Sequence, residues 1–131
     1  MNIPEIGDLI NTDGIPSHYG IVVHLNPPMV ISYTGPSFQR KDEAIVKIEP
    51  LEKFAGSRMY RVSKPNTSVD RQIIVARAFS EVGKHEGEYS VPLFNCETWA
   101  RGVAENNPVS FQVWGGLAVL AVLGLALAPN E

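Results

Sequence analysis

An uncharged stretch at the C-terminal end sets the first limit on how this chain can fold. From Asn106 to Asn130 there is no charged side chain, and Val113 to Ala128 reads VWGGLAVLAVLGLALA without a polar residue. Counting back to Pro108 gives about 21 residues, close to the ~20 that cross a hydrocarbon layer of ~30 Å. Trp114 stands near the start of the run, where interfacial rings are favoured. The competing reading is a buried last helix, but a helix apolar on every side has too little protein around it in a chain of 131 residues. Gly115, Gly116 and Gly124 would also weaken such a helix in water. The expectation is a domain over 1–107 and a hydrophobic membrane-anchor segment over 108–131. Arg101 on the domain side and Glu131 at the far end place the domain on the cytosolic face. Small residues such as Gly115, Gly116 and Ala118 make a homodimer through this segment a further expectation.

The roughly 105 residues before the tail suffice for one modest core and no second catalytic domain. A net charge of −3 with interspersed signs offers no basic stripe, so nucleic acid is excluded as a partner. The one cysteine cannot form an internal disulfide, and no clustered His/Cys spacing supplies zinc ligands, so neither metal nor cofactor is expected. Met1 leads into Asn2, Pro4, Glu5 and Asp8 instead of a basic and then apolar run. No secretory signal is expected, and a reducing cytosolic setting follows.

Short apolar runs punctuated by Gly, Pro, Asn and Asp predict strands near Asp8–Ile10, His18–Leu25, Met29–Thr34, Ala44–Ile48 and Met59–Val62. The period then changes. Ile73, Val75, Ala76, Phe79 and Val82 recur at near-helical spacing, predicting a helix over Val69–Val82 with Ser68 as N-cap and Gly83 as stop. After the polar loop Lys84–Glu88, a short strand over Tyr89–Leu93 leads into a second helix from about Asn95, with Trp99, Ala100 and Val103 facing inward.

That helix would carry Cys96 in its first turn, where unpaired N–H groups and the dipole favour thiolate and lower the thiol pKa. Thiolate is the nucleophile that acyl transfer needs; an isolated cysteine is otherwise a small inert core residue. His18 opens the run HYGIVVH after a Pro-Ser turn, a place where a strand holds a base rigidly. Spacing alone does not join the two.

The segments GDLI (Gly7–Ile10), HYGIVV (His18–Val23), VISYTGP (Val30–Pro36), PLEKFAG (Pro50–Gly56) and LFNCETWA (Leu93–Ala100) occur in that order. Together they resemble the H-box/NC, or LRAT-like, superfamily over roughly residues 5–105. That superfamily includes lecithin:retinol acyltransferase, the HRAS-like suppressor phospholipase/acyltransferases and picornavirus H-box/NC proteins, and is related to NlpC-type peptidases. The resemblance implies an α+β fold of permuted papain-like type, an antiparallel sheet with packed helices. It implies Cys96 as nucleophile, His18 as base, an acyl-thioester intermediate and membrane lipids as partners.

The sequence departs from the cellular pattern at two places. Val30-Ile31-Ser32 stands where cellular members carry a second histidine to orient the first, and NCETW stands for NCEHF. His24, six residues after His18, would share its face but lie about 20 Å along a regular strand, and His85 is expected to be solvated. One histidine and one cysteine suit a viral-type member. The leading reading is a membrane-tethered thiol phospholipase A/acyltransferase. The alternatives are a catalytically impaired protein acting through host membranes or host proteins, a cysteine peptidase or amidase, and a soluble domain in which Cys96 is merely core.

Overall fold

In the computed structural model of this protein the described residues are 3–14, 17–35, 43–89 and 95–105. They form an α+β structure with strands β1 (Leu9–Thr12), β2 (Tyr19–Leu25), β3 (Pro28–Thr34), β4 (Ile45–Pro50) and β5 (Tyr60–Ser63). Helix α1 (Leu51–Ala55) lies between β4 and β5, and α2 (Arg71–Glu81) and α3 (Cys96–Glu105) follow. The strands pair antiparallel in the order β4-β3-β2-β1-β5. The predicted tail and its boundary at 108 lie outside the described residues, and no helix among those described is long and apolar enough to cross a membrane.

Strand β2 is the centre, and its alternation divides the core in two. Ile21 and Val23 join Leu9, Ile31, Tyr33, Ile74, Ala78, Trp99 and Val103 on the face covered by α2 and α3. Val22 joins Ile10, Val30, Leu51, Phe54 and Val62 on the face covered by α1. A strand buried on both sides explains why GIVV carries no polar alternation. Gly20 falls on the α1 side, where a Cβ would stand 2.5 Å from Val30 Cγ1 and 3.2 Å from Phe54 Cε1. The missing side chain is what lets the Phe54 ring lie against β2.

The first five of the six predicted strands are present, shifted by a residue or two at their ends. Helix α1 is the element missing from the sequence-based expectation: five residues hold too few turns to display a period. Helix α2 is shorter than predicted and uses Asp70, whose carboxylate accepts from Gln72 N at 2.7 Å, as its cap in place of Ser68. Its buried residues are Ile74 and Ala78, while Ile73 and Phe79 are about half exposed, so the inward face lies one residue away from the predicted one. The predicted strand Tyr89–Leu93 is not formed at Tyr89, and 90–93 lie outside the described residues.

Asp8, 2% exposed at the entry to β1, accepts from Arg71 Nη1 at 2.7 Å and from Glu5 N at 2.9 Å. Arg71 also donates to Ile6 O at 3.0 Å, so one guanidinium fastens the start of α2 to the start of the sheet. Removing one partner of a buried pair leaves an uncompensated charge. Arg71→Ala is therefore expected to lower stability by about 2–4 kcal/mol in urea unfolding.

Candidate functional site

The site is built at one end of the central strands. Thr12 N donates to His18 O at 2.9 Å and His18 N donates to Thr12 Oγ1 at 2.9 Å, closing the β1–β2 turn with a buried threonine. The turn fixes the backbone on both sides of His18. Opposite it stands the N-terminus of α3, where Asn95 and Thr98 cap reciprocally: Thr98 N donates to Asn95 Oδ1 at 3.0 Å, and Asn95 N to Thr98 Oγ1 at 2.7 Å. This is a capping box with threonine in the return position. It gives a structural role to Thr98, one of the residues that departs from the NCEHF pattern. Trp99, Ala100 and Val103 are buried as the spacing predicted.

The helix thereby begins at Cys96, whose thiol donates to Ser17 O at 3.5 Å. The backbone N–H groups of Tyr19 and Glu97 and the hydroxyl of Tyr89 lie close enough to the sulfur to favour its thiolate. Tyr89 was not singled out as a site residue by the sequence; it follows the polar loop Lys84–Glu88 and packs against Tyr33, the rings tilted by 52° with centres 5.0 Å apart. Around this end, Arg101 binds Glu97 at 3.0 Å and Glu105 at 3.3 Å along α3 and lies 5.9 Å from the centre of the Tyr19 ring.

The two predicted site residues are thus brought to the same short stretch of backbone, Ser17–Tyr19, but their side chains are not joined. The sulfur approaches from the α3 side. The imidazole of His18 shares a face with Gly20 and lies edge-on to Phe54, ring centres 6.2 Å apart, and makes no hydrogen bond among the described residues. Ser32, directly opposite Gly20, is buried on that same face, and its Oγ has no hydrogen-bond partner among the described residues. Ser32, the position at which the resemblance calls for a second histidine, thus buries an unsatisfied hydroxyl on the face that carries the imidazole.

Electrostatics corrects one expectation. Burial pushes the Cys96 thiol above its ordinary value of 9.0, outweighing the N–H and hydroxyl donors that favour thiolate. Burial, with the nearby Arg58 cation, lowers His18 below 6.5 against the opposing pull of Glu49. At neutral pH the resting pair is thiol and neutral imidazole. His85, expected to be solvated, is instead held by Glu81 at 2.6 Å and Glu88 at 2.8 Å. Burial acts to lower its pKa, but those two carboxylates raise it overall. His24 stays exposed beyond a bulge in β2, its Nδ1 2.9 Å from Pro27 O.

A helix-borne cysteine set against a histidine-bearing strand of an antiparallel sheet defines a cysteine–histidine α+β protein. The family model for lecithin retinol acyltransferase matches residues 2–109, and the chain belongs to that family. Human phospholipase A and acyltransferase 3 is 32% identical over 129 residues, covering 86% of this chain and 79% of that protein. The Pongo abelii protein of the same name is 30% identical with the same coverage. The genome polyprotein of avian encephalomyelitis virus (strain Van Reokel) is 28% identical over 109 residues, 79% of this chain, which spans only 5% of the polyprotein.

A raised thiol pKa has a direct kinetic signature, since alkylation follows the thiolate fraction. The rate of Cys96 alkylation by iodoacetamide is expected to climb about tenfold per pH unit through neutrality and to keep rising beyond pH 9.0. A plateau near neutrality would show a preformed thiolate.

Proposed function

We propose that the chain is a membrane-tethered thiol phospholipase A/acyltransferase in which Cys96 is the nucleophile and His18 the base. The observation that supports it most is the seating of the Cys96 sulfur at the start of α3, against the backbone that flanks His18. The name of the human relative, phospholipase A and acyltransferase 3, supplies the substrate class. The antiparallel sheet, with its histidine strand before the cysteine helix, is the arrangement expected of a permuted papain-like domain. The apolar run Val113–Ala128 is the segment that would fasten it to the bilayer.

In this reading the imidazole turns from Phe54 toward the sulfur and takes the thiol proton as the thiolate adds to the ester carbonyl. The tetrahedral intermediate collapses with loss of the lysophospholipid alkoxide, which the imidazolium protonates. A thioester on Cys96 is left for water or a second acceptor. Helix N–H groups near the sulfur favour the transient negative charge. Because His18 is held neutral to below pH 6.5, its role as base would survive mild acidification.

Intact-mass analysis after incubation with mixed phospholipid vesicles is expected to show a fatty-acyl increment on the protein. The increment should be absent from Cys96→Ala; its persistence there would place the nucleophile elsewhere.

A second reading, a catalytically impaired member acting through membranes or host proteins, is favoured by one observation: Ser32 Oγ offers the imidazole no partner. Ser32→His is the measurement that separates them. If the orienting group is what the site lacks, this substitution is expected to raise turnover by about tenfold or more. Unchanged turnover would mean that orientation of His18 is not limiting.

A further inference from the structure

We propose that the turn from α1 into β5, with Met59 at its tip between Arg58 and Arg61, is the edge that seats this protein on an anionic phospholipid bilayer. The proposal rests on the lipid-substrate reading and adds to it the surface through which the lipid is met.

Met59 is 73% exposed and Tyr60 38% exposed, although neither belongs to a loose end. Asp13 N donates to Met59 O at 2.9 Å, Arg58 Nη1 donates to Asp13 O at 3.3 Å, and Tyr60 is paired with Thr12 in the sheet. A thioether held outward by a rigid backbone loses little freedom on entering hydrocarbon, and a tyrosine beside it suits the headgroup layer. The Arg61 guanidinium is widely exposed even while paired with Asp13 at 3.0 Å, leaving N–H groups to meet phosphate oxygens. An apolar tip between two arginines matches a surface with apolar chains below anionic headgroups.

The position of the tip ties it to the reaction. Thr12, the pairing partner of Tyr60, is also bonded to His18, and the Cys96 sulfur is 3.5 Å from Ser17 O. A bilayer touching Met59 therefore lies at the end of the sheet that carries the Ser17–Tyr19 backbone beneath the Cys96 sulfur. Ile73 on α2 is exposed as well but stands beside Arg71, which is fastened to Ile6 and Asp8 at the opposite end of β1, and this makes it the natural comparison position.

The test uses full-length Met59→Trp and Ile73→Trp variants with phosphatidylcholine–phosphatidylserine vesicles carrying brominated acyl chains. Emission loss beyond that of the parent chain is read, and phospholipid turnover is followed in parallel. Bromine quenching is expected for the indole at 59 and not for that at 73, and weaker quenching when phosphatidylserine is left out. Met59→Asp is expected to cut vesicle turnover about tenfold while leaving iodoacetamide alkylation of Cys96 unchanged without vesicles. Quenching at 59 no greater than at 73 overturns the docking edge even if turnover is normal. Quenching at 59 without any turnover by the parent chain supports the edge and removes the lipid-cleaving reading instead.

Discussion

The closure of the β1–β2 turn is the constraint on which the rest of the site depends. Thr12 is nearly inaccessible to solvent and satisfies both its hydroxyl and its N–H on the backbone of His18. That exchange aims Ser17 O and Tyr19 N–H at the start of α3, where the Cys96 sulfur occupies the space between them. Loosening this turn would unseat Cys96 and His18 together. It would also free Met59, which hangs from Asp13 on the same corner.

The site as it stands is neutral and poised, not charged and waiting. Burial disfavours both thiolate and imidazolium, so neither side chain is driven to ionise before a substrate arrives. Burial of the thiol limits adventitious oxidation and alkylation of the cysteine, both of which follow thiolate character. In the proposed reaction the cost falls on the proton transfer, for which the imidazole turns away from Phe54.

Much of this was legible in the sequence, and the omissions have physical causes. The strand meander could be read because its turns are marked by Gly, Pro and Asn, and α3 because Trp99, Ala100 and Val103 hold a helical stripe. The placement of Cys96 at the start of a helix and of His18 beside the start of β2 was legible, but the orientation of the imidazole was not, since it depends on Phe54 in a helix too short to show a period. The thiol pKa was misjudged because the local effect of a helix N-terminus can be read from sequence, whereas the depth of burial comes from β2, α3 and Tyr89 converging. The inward face of α2 shifted for a similar reason: Arg71 is anchored to Asp8, and that anchor sets the rotation of the helix. His85 looked solvated because its two carboxylate partners are themselves surface residues.

The outer edge of the sheet at β4 is already occupied. Val46 N donates to Lys84 O at 3.1 Å, and Gly83 N donates to Val46 O at 2.8 Å, so the segment after α2 lies along the strand that would otherwise end the sheet. A neighbouring chain seeking to add a strand there meets bonded groups, and the opposite border, β5, is four residues long. With both backbone groups of Val46 bonded, this end of β4 is closed to a further strand, which acts against edge-to-edge polymerisation of the domain.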